Sequence, residues 1–436
     1  MTVISTLSPP SRCVQPDWGT FARDFWEKKP TLFKDPGTQL CDPASTFDAI
    51  CEAAEQVRKG RIRDYRDVSL FWGDSVKTDA GPYLPKRTDK TLDNYIARLE
   101  GLAGHEHFGL LFNYYEQFSE TLSRRMREFA AHLYETLGVI SAGHAKADLM
   151  IGRYPSSPFG VHKDPNSVFT FIVRGVKTMR VWPFEMLASH RDIPFARHRQ
   201  LNLYDFDYSP FKESGTALLG LPGEILYWPS SYWHVGEGDG ATHVSLHITF
   251  DVHCEPRGEA VDILQRIVEE TTSEGPNDWH TSYRIGSPWK GGRIETPAPL
   301  LSAIESFRIA MTSTIPEAVK ALWLGRMSAQ GFYKVPESKQ GTVSRIVPVS
   351  EIVPDPVFPI FWSVCDDSAL LAANGRVIRV PLRKWTMRLL EAINQKQTFR
   401  PTDIASDDAV GEVQELLTTL FAMQAVAVLP APMEGL

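Results

Sequence analysis

From residue 145 to about residue 255 the chain breaks into seven short β-rich runs: KADLMIGRY, FGVHKD, SVFTFIV, VKTMRVWPF, TALLGL, EILYWP and THVSLHITFDV. Pro, Gly, Asp and Asn turns separate them, and strands at that spacing predict an antiparallel sandwich or barrel. On either side the texture is different. Upstream, SETLSRRMREFAAHLYETLG reads as an amphipathic helix capped by Ser119 and ended by Gly138. TFDAICEAAEQVRK reads as a helix capped by Thr46, and TLDNYIARLEG as one capped by Thr91 and ended by Gly101. FARDFWEKKP predicts a helical face stopped by Pro30, with TLFK a short strand after it; RIRDYRDVSLFWGD and FGLLFNYYEQF (108–118) are strand-like.

Downstream, residues 259–345 return to helix, with VDILQRIVEE and PLLSAIESFRIAMTST the clearer cases. The remainder predicts two strands about Asn374-Gly375, helices LRKWTMRLLEAI and AVGEVQELLTTLF, and a final AVAVL strand, a winged-helix-like content. The resulting division is 1–138, 139–257, 258–345 and 346–436. A length of 436 residues allows about two or three domains at roughly 150 residues each.

Composition narrows the class of partner. The net charge is −7, and 43% of residues are hydrophobic with 23% charged, which is ordinary globular usage. An acidic balance argues against a generic nucleic-acid coat. Five scattered cysteines (Cys13, Cys41, Cys51, Cys254, Cys365), with no Cys-x-x-Cys, indicate neither a disulfide framework nor a thiolate zinc site. The N-terminus lacks the apolar core of a secretory signal, and the most apolar run, Leu420 to Leu429, is about half a membrane span. The expectation is a soluble, cytoplasmic, multi-domain protein.

The chemistry is concentrated in FGVHKDPNSVFTFIVRGVKTMRVWPF (159–184). His162 and Asp164 are two apart, so on an extended strand both side chains share a face and can point at one ion. His234, in GEILYWPSSYWHVGEG, is the best third ligand. Two imidazoles and a carboxylate leave about three coordination positions open, the arrangement of non-haem Fe(II) oxygenases. His-x-Asp alone is a weak signal: His190-Arg191-Asp192 repeats it and reads as a solvated loop, and His105 and His107 read as turn residues. Company separates the first instance from these. Thirteen residues after Asp164 stands Lys177, sharing a face with Met179 and Val181, and a lysine facing a barrel interior needs an anion.

With those residues in view, HKD, Lys177 and GEILYWPSSYWHVGEG followed by HVSLHITF resemble the Jumonji-C, cupin-like oxygenases. The likeness is nearest to the ribosomal-oxygenase-type protein hydroxylases, whose aromatic-Glu-Lys-Lys-Pro segment is matched by FARDFWEKKPTLFK. The resemblance implies an α+β fold with a double-stranded β-helix (jelly-roll) core, a helical dimerisation segment and a winged-helix-like C-terminal domain. It implies that His162, Asp164 and His234 bind Fe(II), that 2-oxoglutarate and O2 are co-substrates, and that Lys177 pairs with the C5 carboxylate. His247, on the alternating polar face His243, Ser245, His247, Thr249, is a further co-substrate candidate, and Asn166, Thr170 and Tyr154 are near enough in sequence to line the pocket. The sequence departs from the family at Lys163 and Pro165, and at Phe159, where asparaginyl-hydroxylase-type relatives carry threonine.

The implied function is hydroxylation of a side chain in a protein or peptide, a ribosomal protein or a precursor peptide, with succinate and CO2 as co-products. Alternatives are the same chemistry on a free amino acid or small metabolite, demethylation, or a non-catalytic cupin-like binding module. The accessory regions favour a macromolecular substrate and a homodimer. No membrane partner is expected. Nucleic acid is not expected either, except near a ribosomal substrate: the basic run VRKGRIRDYR (57–66) could dock an acidic peptide or ribosomal RNA, or be a solvated helix end, and the helix AVGEVQELLTTLF carries no lysine or arginine.

Overall fold

The computed structural model describes residues 17–34, 40–60, 68–73, 75–77, 79–141, 144–188, 201–203, 206–252, 315–332, 334–336, 346–406 and 408–429, with isolated positions between 261 and 308. VDILQRIVEE, PLLSAIESFRIAMTST, the His190–Asp192 triplet and Arg61, Arg63 and Arg66 lie outside these residues, isolated helical positions excepted. The chain divides into two compact units, Met1–His253 with Ala329–Gln340 and Cys254–Ser328 with Gly341–Leu436.

The first unit is built on two antiparallel sheets. The larger runs β1 (Thr31–Phe33), β11 (Ile225–Trp228), β7 (Asn166–Arg174), β13 (His243–Asp251), β5 (Ala145–Arg153), β4 (Phe108–Phe112), β2 (Val68–Trp72) and β3 (Ser75–Lys77). The smaller runs β10 (Thr216–Gly220), β8 (Lys177–Pro183), β12 (Tyr232–Glu237), β6 (Val161–Lys163) and β9 (Leu201–Leu203). Val168, Ile172, Leu226 and Trp228 of the larger sheet form one apolar cluster with Met179, Val181 and Leu218 of the smaller, so the sheets lie face to face. The outer face of the larger sheet is closed by helices Pro43–Arg58, Leu92–Ala103 and Glu120–Leu137, whose apolar faces join the largest core. With both of its faces covered, β7 is buried from Ser167 to Val173 and is apolar there except for Ser167 and Thr170.

Local chemistry sets the element ends. Ser119 accepts the Leu122 N–H, and Gly138 ends that helix at φ +68°, both as expected. Other expected boundaries move. The second helix begins at Pro43, because Asp42 caps the Ala44 and Ser45 N–H groups, and Thr46 is buried rather than capping. The Thr91-capped helix passes through Gly101 to Ala103 and stops at Gly104, φ +57°. The first helix runs Trp18–Asp24 from an Asp17 cap, ahead of the expected Phe21–Pro30. Residues 108–118 divide into β4 and the 3-10 turn Tyr115–Phe118, since Tyr114 adopts a left-handed conformation at φ +51°.

In the second unit β15 (Phe361–Cys365), β16 (Ser368–Ala373) and β17 (Arg376–Pro381) form a meander, one strand more than expected. The added strand, SALLAA, is entirely buried and shows no alternation to betray it. Asn374 and Gly375, φ +49° and +76°, make the tight hairpin. Helices Lys384–Asn394 and Val410–Ala422 and the pair β14 (Ile352–Pro354) and β18 (Val426–Val428) enclose its own core. Among the described residues no helix is long and apolar enough to cross a membrane.

Candidate active site

His162 lies at the centre of β6, and Asp164 follows directly after the strand. The third residue arrives by register: β12 runs antiparallel to β6 with His234 directly opposite His162, their ring centroids 4.2 Å apart. Asp164 Oδ2 is 3.5 Å from His234 Nε2 and 3.9 Å from His162 Nε2. One ligand atom from each of the three lies within 4.8 Å of the others, and this is the one such group among the described residues. Each imidazole Nδ1 donates to a backbone carbonyl, His162 to Gly160 at 3.0 Å and His234 to Tyr232 at 3.4 Å. That orients both rings and leaves both Nε2 atoms facing the common centre.

The electrostatics suit a divalent cation. Burial, helped by the neighbouring His234, pulls His162 down to about 4, so it is neutral at physiological pH. Burial opposes the Asp164 charge, but the hydrogen bond and charge of His234 outweigh it and hold the carboxyl well below its usual range. Two imidazoles and a carboxylate are a donor set for a borderline divalent metal.

Lys177 is the first residue of β8 and is 3% exposed. The preceding turn requires Gly175, at φ +75°, because a Cβ there would fall 2.6 Å from the Thr242 carbonyl. The strand then alternates, carrying Lys177, Met179 and Val181 inward. The Lys177 ammonium donates to Tyr154 Oη and to His243 Nε2, both at 3.2 Å. Both partners are neutral, and no carboxylate pairs with Lys177 among the described residues. Burial therefore pushes it down to about 7. A buried lysine ringed by neutral donors and acceptors is a seat for an anion.

The triad and Lys177 line one cavity of about 210 Å³. Tyr154 and His247 also line it; Thr170 and Asn166 do not. Thr170 stands behind His247, Oγ1 to Nδ1 at 2.9 Å, and Ser245 holds the other ring nitrogen at 3.1 Å. Asn166 donates instead to Asp251 at the end of β13. The polar face of β13 does look inward, but its contact with Lys177 is His243, four residues from the favoured His247.

Three further features belong to the cavity wall, of which the sequence reading singled out only Phe159, as a departure from relatives. Trp228 lines the cavity with its ring 5.1 Å from His234, and its buried indole N–H has no protein partner. Phe159 packs edge-on to Phe71 at 4.8 Å and lines the cavity. Lys146 and Asp148 of β5 form an ion pair of 2.7 Å on the wall. Alternation in KADLM could have placed that pair on one face, though not on the cavity side. His105 is an exposed turn residue, and His107 is exposed in the short stretch directly before β4.

A family model described as the JmjC domain matches residues 124–256. Residues 124–256 are thus a JmjC domain, the domain of 2-oxoglutarate-dependent oxygenases that work with a ferrous ion. Among solved structures it is similar to the X-ray structure of E. coli ycfD, with 13% identity, a TM-score of 0.49, and 95% of this chain and 99% of that one covered. It is likewise similar to YcfD, a ribosomal oxygenase from Escherichia coli, in complex with cobalt and 2-oxoglutarate, with 14% identity, a TM-score of 0.47 and coverage of 96% and 99%. A crystal structure of Escherichia coli ribosomal oxygenase YcfD gives 16% identity, a TM-score of 0.49 and coverage of 95% and 99%. No curated protein matches the chain.

Proposed function

We propose that this chain hydroxylates a side chain of a protein or peptide, with His162, Asp164 and His234 holding Fe(II) and Lys177 receiving the distal carboxylate of 2-oxoglutarate. The observation that carries the reading is the shared cavity: three metal-type donors around one point and a buried lysine with no acidic partner among the described residues. The bound iron and co-substrate supply the oxidising chemistry, with succinate and CO2 as co-products. The residues of this chain provide geometry, charge pairing and shelter. Tyr154 and His243 orient Lys177, Trp228 and Val168 keep the wall beside the triad apolar, and no side-chain nucleophile or general base is required.

The two lysines of the cavity differ in exposure: Lys177 is 3% exposed, whereas the Lys146 side chain is 36% exposed, and a substrate chain is proposed to enter beside Lys146. A ribosomal protein or precursor peptide is the proposed target class, with the C-terminal region as scaffold or dimer surface.

The test joins spectroscopy to product analysis. Anaerobic addition of Fe(II) and 2-oxoglutarate should give a charge-transfer band that His162→Ala and Asp164→Ala abolish together with succinate formation. Mass spectrometry of cell extract incubated with enzyme, iron, ascorbate and 2-oxoglutarate should show a peptide heavier by one oxygen atom. Unchanged succinate formation in either variant rejects the triad. An oxidised small molecule with no modified peptide transfers the same chemistry to a metabolite.

A further inference from the structure

A second buried polar cluster lies just outside the cavity, built around Glu27 of the FWEKKP segment. Its backbone is left-handed, φ +53°, a region sparsely used by residues with a Cβ. The Glu27 N–H donates to Tyr227 Oη at 2.9 Å, and Tyr227 Oη lies 3.1 Å from Ser167 Oγ. Ser167 Oγ donates in turn to Glu27 Oε1. The same carboxylate accepts the Ser230 backbone N–H at 3.2 Å and the Ser230 hydroxyl at 2.6 Å. Ser167, Tyr227 and Ser230 are all 1% exposed or less.

The position of these partners matters more than their number. Ser167 is three residues after Asp164, at the start of β7, and Ser230 is four residues before His234, in the turn between β11 and β12. Trp228, whose ring lies against His234, sits between Tyr227 and Ser230. One carboxylate thus ties the segment leaving Asp164 to the segment approaching His234. These two segments run into different sheets of the barrel, and strand pairing reaches them only at their ends: Trp228 of β11 is opposite Val168 of β7, and His234 of β12 is opposite His162 of β6, while the stretch between those pairs is bridged by the Glu27 carboxylate.

We infer that Glu27 is a positioning residue of the metal centre, holding Asp164 and His234 at the separation a single ion requires by clamping Ser167 to Ser230. The inference rests on the reading that the triad holds a metal. Partners beyond the ligands that orient a metal site cost about 10- to 100-fold in affinity when removed. Co(II) binding and the Co(II) d–d absorption bands, measured without 2-oxoglutarate or oxygen, read coordination directly. Glu27→Ala and Ser230→Ala should weaken Co(II) binding by about tenfold or more and shift the bands, Ser167→Ala should do so as well, and Glu27→Gln should fall between. Phe21→Leu is the control: Phe21 packs on Tyr227 at 4.7 Å in the same N-terminal segment, so it should lower the melting temperature while leaving Co(II) affinity and bands unchanged. Should Glu27→Ala not fold, the two serine variants decide. Unaltered Co(II) affinity and bands in Glu27→Gln, Ser167→Ala and Ser230→Ala overturn the inference. A wild-type protein that binds no Co(II) removes the metal-site reading and this inference with it.

Discussion

Two lysines line the same cavity and carry opposite lessons. Lys146, on β5, is paired with Asp148 at 2.7 Å and partly exposed. Lys177, on β8, is almost wholly buried and touches a phenol and an imidazole. Lys146 has its countercharge in the fold, and the Asp148 charge holds its pKa up against burial. Lys177 has none among the described residues, and burial pulls its pKa down to about 7. A cation that the fold itself neutralises shapes a wall. A cation left for a ligand to neutralise marks a binding site.

That contrast breaks most sharply on replacement. Lys177→Met should weaken 2-oxoglutarate binding to the metal-loaded protein by on the order of 3 kcal/mol, roughly a hundredfold in Kd, because the dicarboxylate then buries a charge unpaired. Lys146→Met should change it by about threefold or less, the scale of a partly exposed ion pair. Calorimetric titration of both variants checks this, and equal losses would end the distinction.

A smaller effect comes from pH. Only protonated Lys177 attracts the co-substrate, and its pKa in the free protein is about 7. Affinity for 2-oxoglutarate should therefore be full below that value and fall as pH rises above it, with a proton taken up on binding in that range. Titrations in buffers of different ionisation enthalpy would reveal the uptake; a flat profile from pH 6 to 9 contradicts it.

The smallest effect concerns the support of the Lys146 wall. Glu116 is fully buried, one oxygen accepting the Ala147 N–H and the other without a partner, and burial raises its pKa from 4.5 to about 8. The folded state thus holds a proton that the unfolded chain releases, so this contribution to stability is complete below pH 4.5 and is lost as pH rises through about 8. Glu116→Gln removes the dependence. It should raise the melting temperature relative to wild type at pH 8 more than at pH 5, by a difference worth on the order of one to a few kcal/mol.

Much of the site was legible because strands have period two. His162 and Asp164 share a face by spacing alone, and Lys177 was placed inward with Met179 and Val181. Period two gives a face but not a depth. His243 and His247 lie on the same side of β13, about 13 Å apart along the strand at ~3.3 Å per residue, and only the deeper one meets Lys177. Thr170 and Asn166 stay off the cavity lining for a related reason: nearness in sequence to Asp164 says nothing about which faces open on a cavity. The helix starts were missed where a capping competitor lay upstream, as Asp42 does for Thr46.

The sequence by itself determined the strand texture, the helix that closes on Gly138, and the pair of side chains that can point together at a metal. Those are local consequences of side-chain alternation and backbone conformation. Only the tertiary structure decided that His234 stands across from His162, that His243 rather than His247 attends Lys177, and that Glu27 reaches Ser167 and Ser230. Each of these contacts joins residues far apart in the chain, and the register of paired strands and the closure of two sheets fix them, which no run of neighbouring residues encodes.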